Sequence, residues 1–164
     1  MRYGTRTHCK RRWSRQGRRP LCRVKLGYEW GYLYVAICPF SADLFAMFFS
    51  HLDKACFAHF LEQFQLHLKK KELTKVLLIG DGAWAHSSQD WQQWQVAWQQ
   101  LPTACPELNP VERFFEELRR HTSNQVCSSK QQVELRLEKL INQFLNIPEK
   151  IRNITLFPYI NQCA

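Results

Sequence analysis

An α/β fold is expected for this 164-residue chain, and three stretches of sequence carry the expectation. Residues 28–38 are rich in Tyr, Val, Ile and Leu and stop at Pro39, the composition of a strand with a breaker at its end. Phe57, Phe60, Leu61, Phe64 and Leu68 then recur on one face of a helix. Val76, Leu77, Leu78 and Ile79 form an unbroken apolar run closed by Gly80-Asp81-Gly82. Such a run suits an internal parallel strand, covered on both faces and reached by crossover from the helix before it.

The elements follow in order. Ser41, Ala42 and Asp43 make a tight antiparallel connection from the first strand to a second over residues 44–49. A helix over 51–70 begins where Ser50 and Asp53 have the spacing of a capping box, and Lys69, Lys70 and Lys71 suit its carboxyl end. The apolar strand covers 75–79. Residues 88–95 read as a short helix and 95–101 as a short strand before Pro102. Asn109 then caps a helix with Pro110 at its first position and Glu112 at its third, while Val111, Phe114, Phe115 and Leu118 supply its apolar side. A final helix over 129–146 carries the stripe Val133, Leu137, Leu140, Ile141 and Phe144 and is stopped by Pro148. The tail, 151–164, packs as an extended or short helical segment.

With 45% apolar and 13% aromatic residues, the chain has volume for one core, and its length argues against two independent domains. Its apolar runs are too short to cross a bilayer, and no secretory signal follows Met1, so a cytoplasmic protein is expected. Seven scattered cysteines without a CxxC pair favour reduced thiols over a disulfide scaffold, and His8-Cys9 lacks a second pair for zinc. Charge is the more informative property. Residues 1–25 hold ten Lys and Arg and no acidic residue, leaving thirteen basic and fourteen acidic side chains on the rest. A basic arm of this kind attracts a polyanion through phosphate contacts without implying sequence preference. Arg11, Arg12, Arg15, Arg18 and Arg19 are its candidate DNA contacts, and Trp13 and Gly17 among them suit a turn or hairpin.

Asp81 and Glu112 are the residues with chemical promise. Open α/β sheets bind ligands beyond the carboxyl ends of their strands, where Asp81 is expected, and Glu112 opens the helix after the next connection. Two carboxylates brought together there hold Mg²⁺ or Mn²⁺, hard ions that prefer oxygen. Taken alone, Asp81 is equally an ordinary turn former before glycine and Glu112 an ordinary residue of a helix start.

The surrounding residues add a resemblance. Gly80-Asp81-Gly82-Ala83-Trp84-Ala85-His86, followed by Leu101-Pro102-Thr103-Ala104-Cys105-Pro106-Glu107-Leu108-Asn109-Pro110-Val111-Glu112, resembles the last two catalytic segments of the mariner-like superfamily of DDE transposases. The likeness is strongest to the bacterial insertion-sequence branch. Leu118, Arg119 and Ser123-Asn124 continue it downstream, and Arg11-Arg12-Trp13 with Gly17 and Pro20 continue it upstream. It implies a ribonuclease H-like fold, a mixed sheet flanked by helices, and metal-dependent DNA cleavage and strand transfer at transposon ends. It further implies that Asp81 and Glu112 are the second and third catalytic, metal-binding carboxylates, served by two ions of Mg²⁺ or Mn²⁺. His86 matches a histidine near the site, either positioning a phosphate or water or making a structural hydrogen bond. Asn109 fixes how Glu112 enters.

By the same resemblance, Met1-Arg2-Tyr3-Gly4-Thr5 matches the residues just after an Asp-Glu pair, and no acidic residue precedes Glu29. The first central strand and its aspartate are therefore expected to be missing, together with an amino-terminal helix-turn-helix region. Neither Asp43 nor Asp53 matches the lost position. The expectation is a partial transposase catalytic domain over 1–164, with 1–25 as its basic arm or first hairpin, inactive alone. The alternative is a non-catalytic DNA-binding or interfering fragment. Implied partners are double-stranded DNA and a second copy or a full-length transposase, with no membrane.

Overall fold

The computed structural model describes residues 1–87, 91–94 and 96–161. Its centre is an antiparallel sheet in the order β1-β2-β3, formed by Arg2–Gly4, Trp30–Cys38 and Asp43–Phe49. The register runs from Tyr32↔Phe49 to Cys38↔Asp43 on one edge of β2 and from Arg2↔Tyr32 to Gly4↔Trp30 on the other. Alternation along β2 sorts side chains into two cores. Leu33 enters one with Tyr3 and Leu44, and Tyr34 and Ala36 enter the other.

Helix α1 (Lys54–Lys70) covers the Tyr34 face through Phe57, Phe60, Leu61, Phe64 and Leu68, the stripe predicted from the sequence. Its amino terminus differs from expectation. Asp53, not Ser50, is the cap, accepting the Cys56 N–H at 2.8 Å, while the Ser50 hydroxyl is engaged by His51 Nδ1. The Leu33 face is covered by α3 (Pro110–Thr122), α4 (Lys130–Leu145) and α5 (Pro148–Thr155). Pro148 both ends the α4 segment and starts α5 at its first turn. The tail continues as the short helix Pro158–Asn161, and residues 162–164 lie outside the described residues.

Three expectations are corrected. Residues 2–4, counted with the basic arm, form β1, and Tyr3 is a core residue. The Tyr3 ring lies flat enough on Gly31 that a Cβ there would meet its hydroxyl at 2.3 Å, so this position requires glycine. Strand β4 (Leu77–Gly80) starts two residues later than expected and is not internal. Among the described residues it pairs, in parallel, with β5 (Ala97–Gln100) alone, and Leu77 and Ile79 remain 56% and 49% exposed. Among the described residues the strands thus fall into two sheets, one antiparallel and one parallel, flanked by helices. Of the helix expected over 88–95, Trp91–Gln93 form a single 3₁₀ turn, and 88–90 and 95 are outside the described residues.

Candidate functional site

The groove between β2 and β4 is about 250 Å³, and Asp81, His86, Asn109 and Glu112 all line it. Asp81 follows β4 directly. Its carboxylate accepts the Ala83 N–H at 3.2 Å and lies 2.9 Å from His86 Nδ1, which also approaches the Asp81 carbonyl at 3.1 Å. The hydrogen bond to His86, working against burial, holds the Asp81 carboxyl below the usual carboxylate range. His86, on the short helix α2 (Trp84–Ser87), is fixed by aromatic neighbours, its ring centroid 4.4 Å from Phe57 and 5.7 Å from Trp98.

Glu112 arrives by the predicted route. Asn109 accepts the Val111 N–H at 3.1 Å, Pro110 opens α3, and Glu112 sits in the first turn. Its carboxylate pairs with Arg119, two helical turns further on, at 3.3 Å. Arg119 had entered the sequence reading only as part of a pattern. The seven-residue spacing, which returns to the same helix face, was the signal for the pair. Glu107 is exposed, and Glu116 and Glu117 bind Arg113, Arg120 and His121 along the helix surface.

The Met1 ammonium enters the same groove, donating to the Leu33 carbonyl at 2.6 Å. Burial lowers its pKa to about 6 against the pull of Glu112, with Arg119 adding to the lowering and Asp81 opposing it.

The donor set suits one hard cation. Asp81 is 63% exposed and Glu112 39% exposed, so both offer carboxylate oxygen to the groove with room for coordinating water. It does not suit a pair of ions, since a second centre needs further anionic ligands. Among the described residues, no group of three or more His, Cys, Asp or Glu side chains is arranged for a metal.

The arm, residues 8–28, joins β1 to β2 and is exposed along most of its length. Thr5 N–H donates to the Glu29 carbonyl at 3.1 Å and Thr7 N–H to the Lys25 carbonyl at 3.0 Å, pairing its two sides at the base. Arg18 N–H bonds the Arg15 carbonyl at 3.0 Å across Gly17, whose φ of 80° is the conformation a turn assigns to glycine. Arg11, Arg12, Arg15, Arg18 and Arg19 are all exposed, as is Trp13. The structure therefore keeps these arginines on a separate element from the carboxylate groove. No described helix is long and apolar enough to cross a membrane.

A search of curated proteins finds no match. Among solved structures, the crystal structure of the Mos1 strand transfer complex contains a similar chain, with a TM-score of 0.62 at 12% identity. The match covers 95% of this chain and 52% of that one, so the present chain spans about half the length of the relative whose fold it shares. The family profile described as DDE superfamily endonuclease matches residues 1–136, a span that holds the arm, the strands, Asp81 and Glu112. The chain belongs to the DDE superfamily of endonucleases.

Proposed function

We propose that this chain is part of a DDE transposase of the bacterial insertion-sequence type, built for DNA cleavage and strand transfer at transposon ends, and inactive by itself. The supporting observation is the meeting of Asp81 and Glu112 on one groove in a chain of this superfamily. Endonucleases of this superfamily are generally dependent on divalent metal. Asp81 and Glu112 would hold Mg²⁺ or Mn²⁺, which when bound supplies Lewis-acid stabilisation of phosphate oxygens. His86 orients the Asp81 carboxylate, and Asn109 sets the first turn from which Glu112 projects. The exposed arginines of the arm bind duplex phosphates.

In this reading the inactivity of these 164 residues follows from the first family carboxylate, which has no counterpart among them. The register of β1 on β2 supports where it belongs: an extension of β1 upstream of Met1 would run opposite Tyr34 to Cys38. The second added residue, where the family resemblance expects aspartate, falls opposite Val35. That residue packs on the Leu33 face, the face covered by α3, which carries Glu112. The test is to compare the 164-residue chain with versions carrying an added strand that ends Asp-Glu or Asn-Glu before Met1. Only the aspartate version should cleave transposon-end DNA with Mg²⁺ or Mn²⁺, and D81N or E112Q should abolish this. Efficient cleavage by the unextended chain would refute the reading.

The exposed arm supports a second reading, a non-catalytic fragment that binds DNA or interferes with a full-length transposase. It predicts salt-sensitive duplex binding that weakens on neutralising Arg11, Arg12 and Arg15 together. Duplex affinity unaffected by that triple change at low salt would remove it.

A further inference from the structure

Ala83 and His86 line the carboxylate groove, and Trp84 between them is 64% exposed. The backbone around this indole is fixed. Ala83 donates its N–H to the Asp81 carboxylate at 3.2 Å and accepts the His86 N–H at 2.8 Å, so one tight turn carries Asp81 and the histidine that holds it. Ala85 is buried in the same core as Phe57, and the His86 ring lies against the Phe57 ring. Phe57 belongs to α1, and Lys54, which opens that helix, sets its ammonium 4.9 Å from the centroid of the Trp84 ring. Leu52, just before α1, is a further exposed lining residue of the groove. The Asp81 and Trp84 Cα atoms are three peptide units apart, at most about 11 Å.

We propose that Trp84 and Lys54 form a platform for an unpaired base at the end of a DNA strand whose phosphates enter the carboxylate groove, an inference that rests on the DNA-acting reading under Proposed function. A lysine ammonium within about 6 Å of an indole centroid is attracted by the ring quadrupole, which steadies the indole and leaves the charge within reach of a phosphate. At this exposure the Trp84 ring keeps a face open to solvent, and a nucleobase covers such a face by stacking. Bases inside a duplex already cover one another, so the platform takes an unpaired terminal nucleotide in preference to an intact helix. Every base has a π face, so Trp84 positions the strand without reading its sequence. A base held there brings a neighbouring phosphate toward Asp81, and the Phe57–His86 contact keeps platform and carboxylate in one rigid unit.

Binding of the 164-residue chain to labelled DNA is measured by fluorescence anisotropy at low salt, comparing a duplex with a short thymine overhang against one whose overhang has the same phosphates and no bases. The thymine overhang should bind about tenfold more tightly than the abasic one. W84A should bring the two to the same affinity, W84F should keep most of the difference, and K54Q should weaken both. Equal affinity of the wild-type chain for the two overhangs, or a difference that survives W84A, would overturn the proposal; K54Q with unchanged affinity for both would remove Lys54 from it. If W84A does not fold, 2-aminopurine in the overhang reports the contact in the wild-type chain. Its fluorescence should fall on binding as the base stacks, and unchanged fluorescence would overturn the platform. Neither measurement uses metal or cleavage. Failed cleavage by the extended chain therefore counts against the reading under Proposed function, and equal binding of the two overhangs against the platform alone.

Discussion

Asp81 and Glu112 reach the groove already engaged, and their partners differ in kind. Asp81 is held by His86, whose ring is set by Phe57 and Trp98, so the carboxylate orientation depends on aromatic packing. H86A should therefore move the Asp81 carboxyl up toward the ordinary carboxylate range. Carboxyl-carbon NMR titration reads this directly, and an unmoved titration would mean that His86 does not hold Asp81. Glu112 is held by Arg119, a cation that competes with any metal for the same oxygens. R119Q should tighten Mn²⁺ binding by about two- to fivefold, the size of a partly exposed ion pair. Weaker binding would show instead that Arg119 supports the site by positioning Glu112.

At the scale of elements, α3 was the most legible in sequence because everything that positions Glu112 is local. Asn109, Pro110 and Glu112 fall within one turn, and their cap needs no distant partner. N109A should cost about 1 kcal/mol in urea unfolding, whereas no change would mean that Pro110 alone starts the helix. The α1 stripe and the α4 stripe were legible for the same reason, since periodicity reports a buried face. Strand β4 was misread because an apolar run states that a strand prefers cover without stating whether neighbours supply it. Leu77 and Ile79 are the result. Strand β1 was hidden because Tyr3 is one aromatic residue among arginines, and the pairing with residues 30–32 is long-range. Asp43 was likewise read only as part of a turn. In the fold it ties the start of β3 to the end of α1, 2.7 Å from His67 and 3.2 Å from Lys71. Burial raises its carboxyl, but the bonds to His67 and Lys71 outweigh it and hold the carboxyl below its ordinary value. A depressed carboxyl stabilises the fold above its unfolded pKa and loses that contribution as pH falls through the folded one. D43N should thus cost about 1 kcal/mol at neutral pH, and the difference from wild type should shrink below about pH 4. A cost independent of pH would assign it to packing instead.

Across the whole molecule, one helix covers one face of the β1-β2-β3 sheet and three cover the other, and a second small sheet stands beside it across the groove. On the proposed reading, the register of β1 would carry an added strand along the β2 edge that lines this groove. An added strand before Met1 should raise amide protection at residues 34–38 and at 77–80 together in hydrogen exchange, because both strand edges face the groove. Protection of β2 alone would mean that the two sheets do not share the added strand. The most direct test of the account lies where those sheets meet. Titration of the 164-residue chain with Mn²⁺, followed by paramagnetic broadening of backbone NMR signals, should broaden residues 80–83 and 110–113 at the same metal concentration, with either D81N or E112Q removing both effects. Broadening of the two segments at different concentrations, or loss of only one on each substitution, would mean that Asp81 and Glu112 do not form a single site.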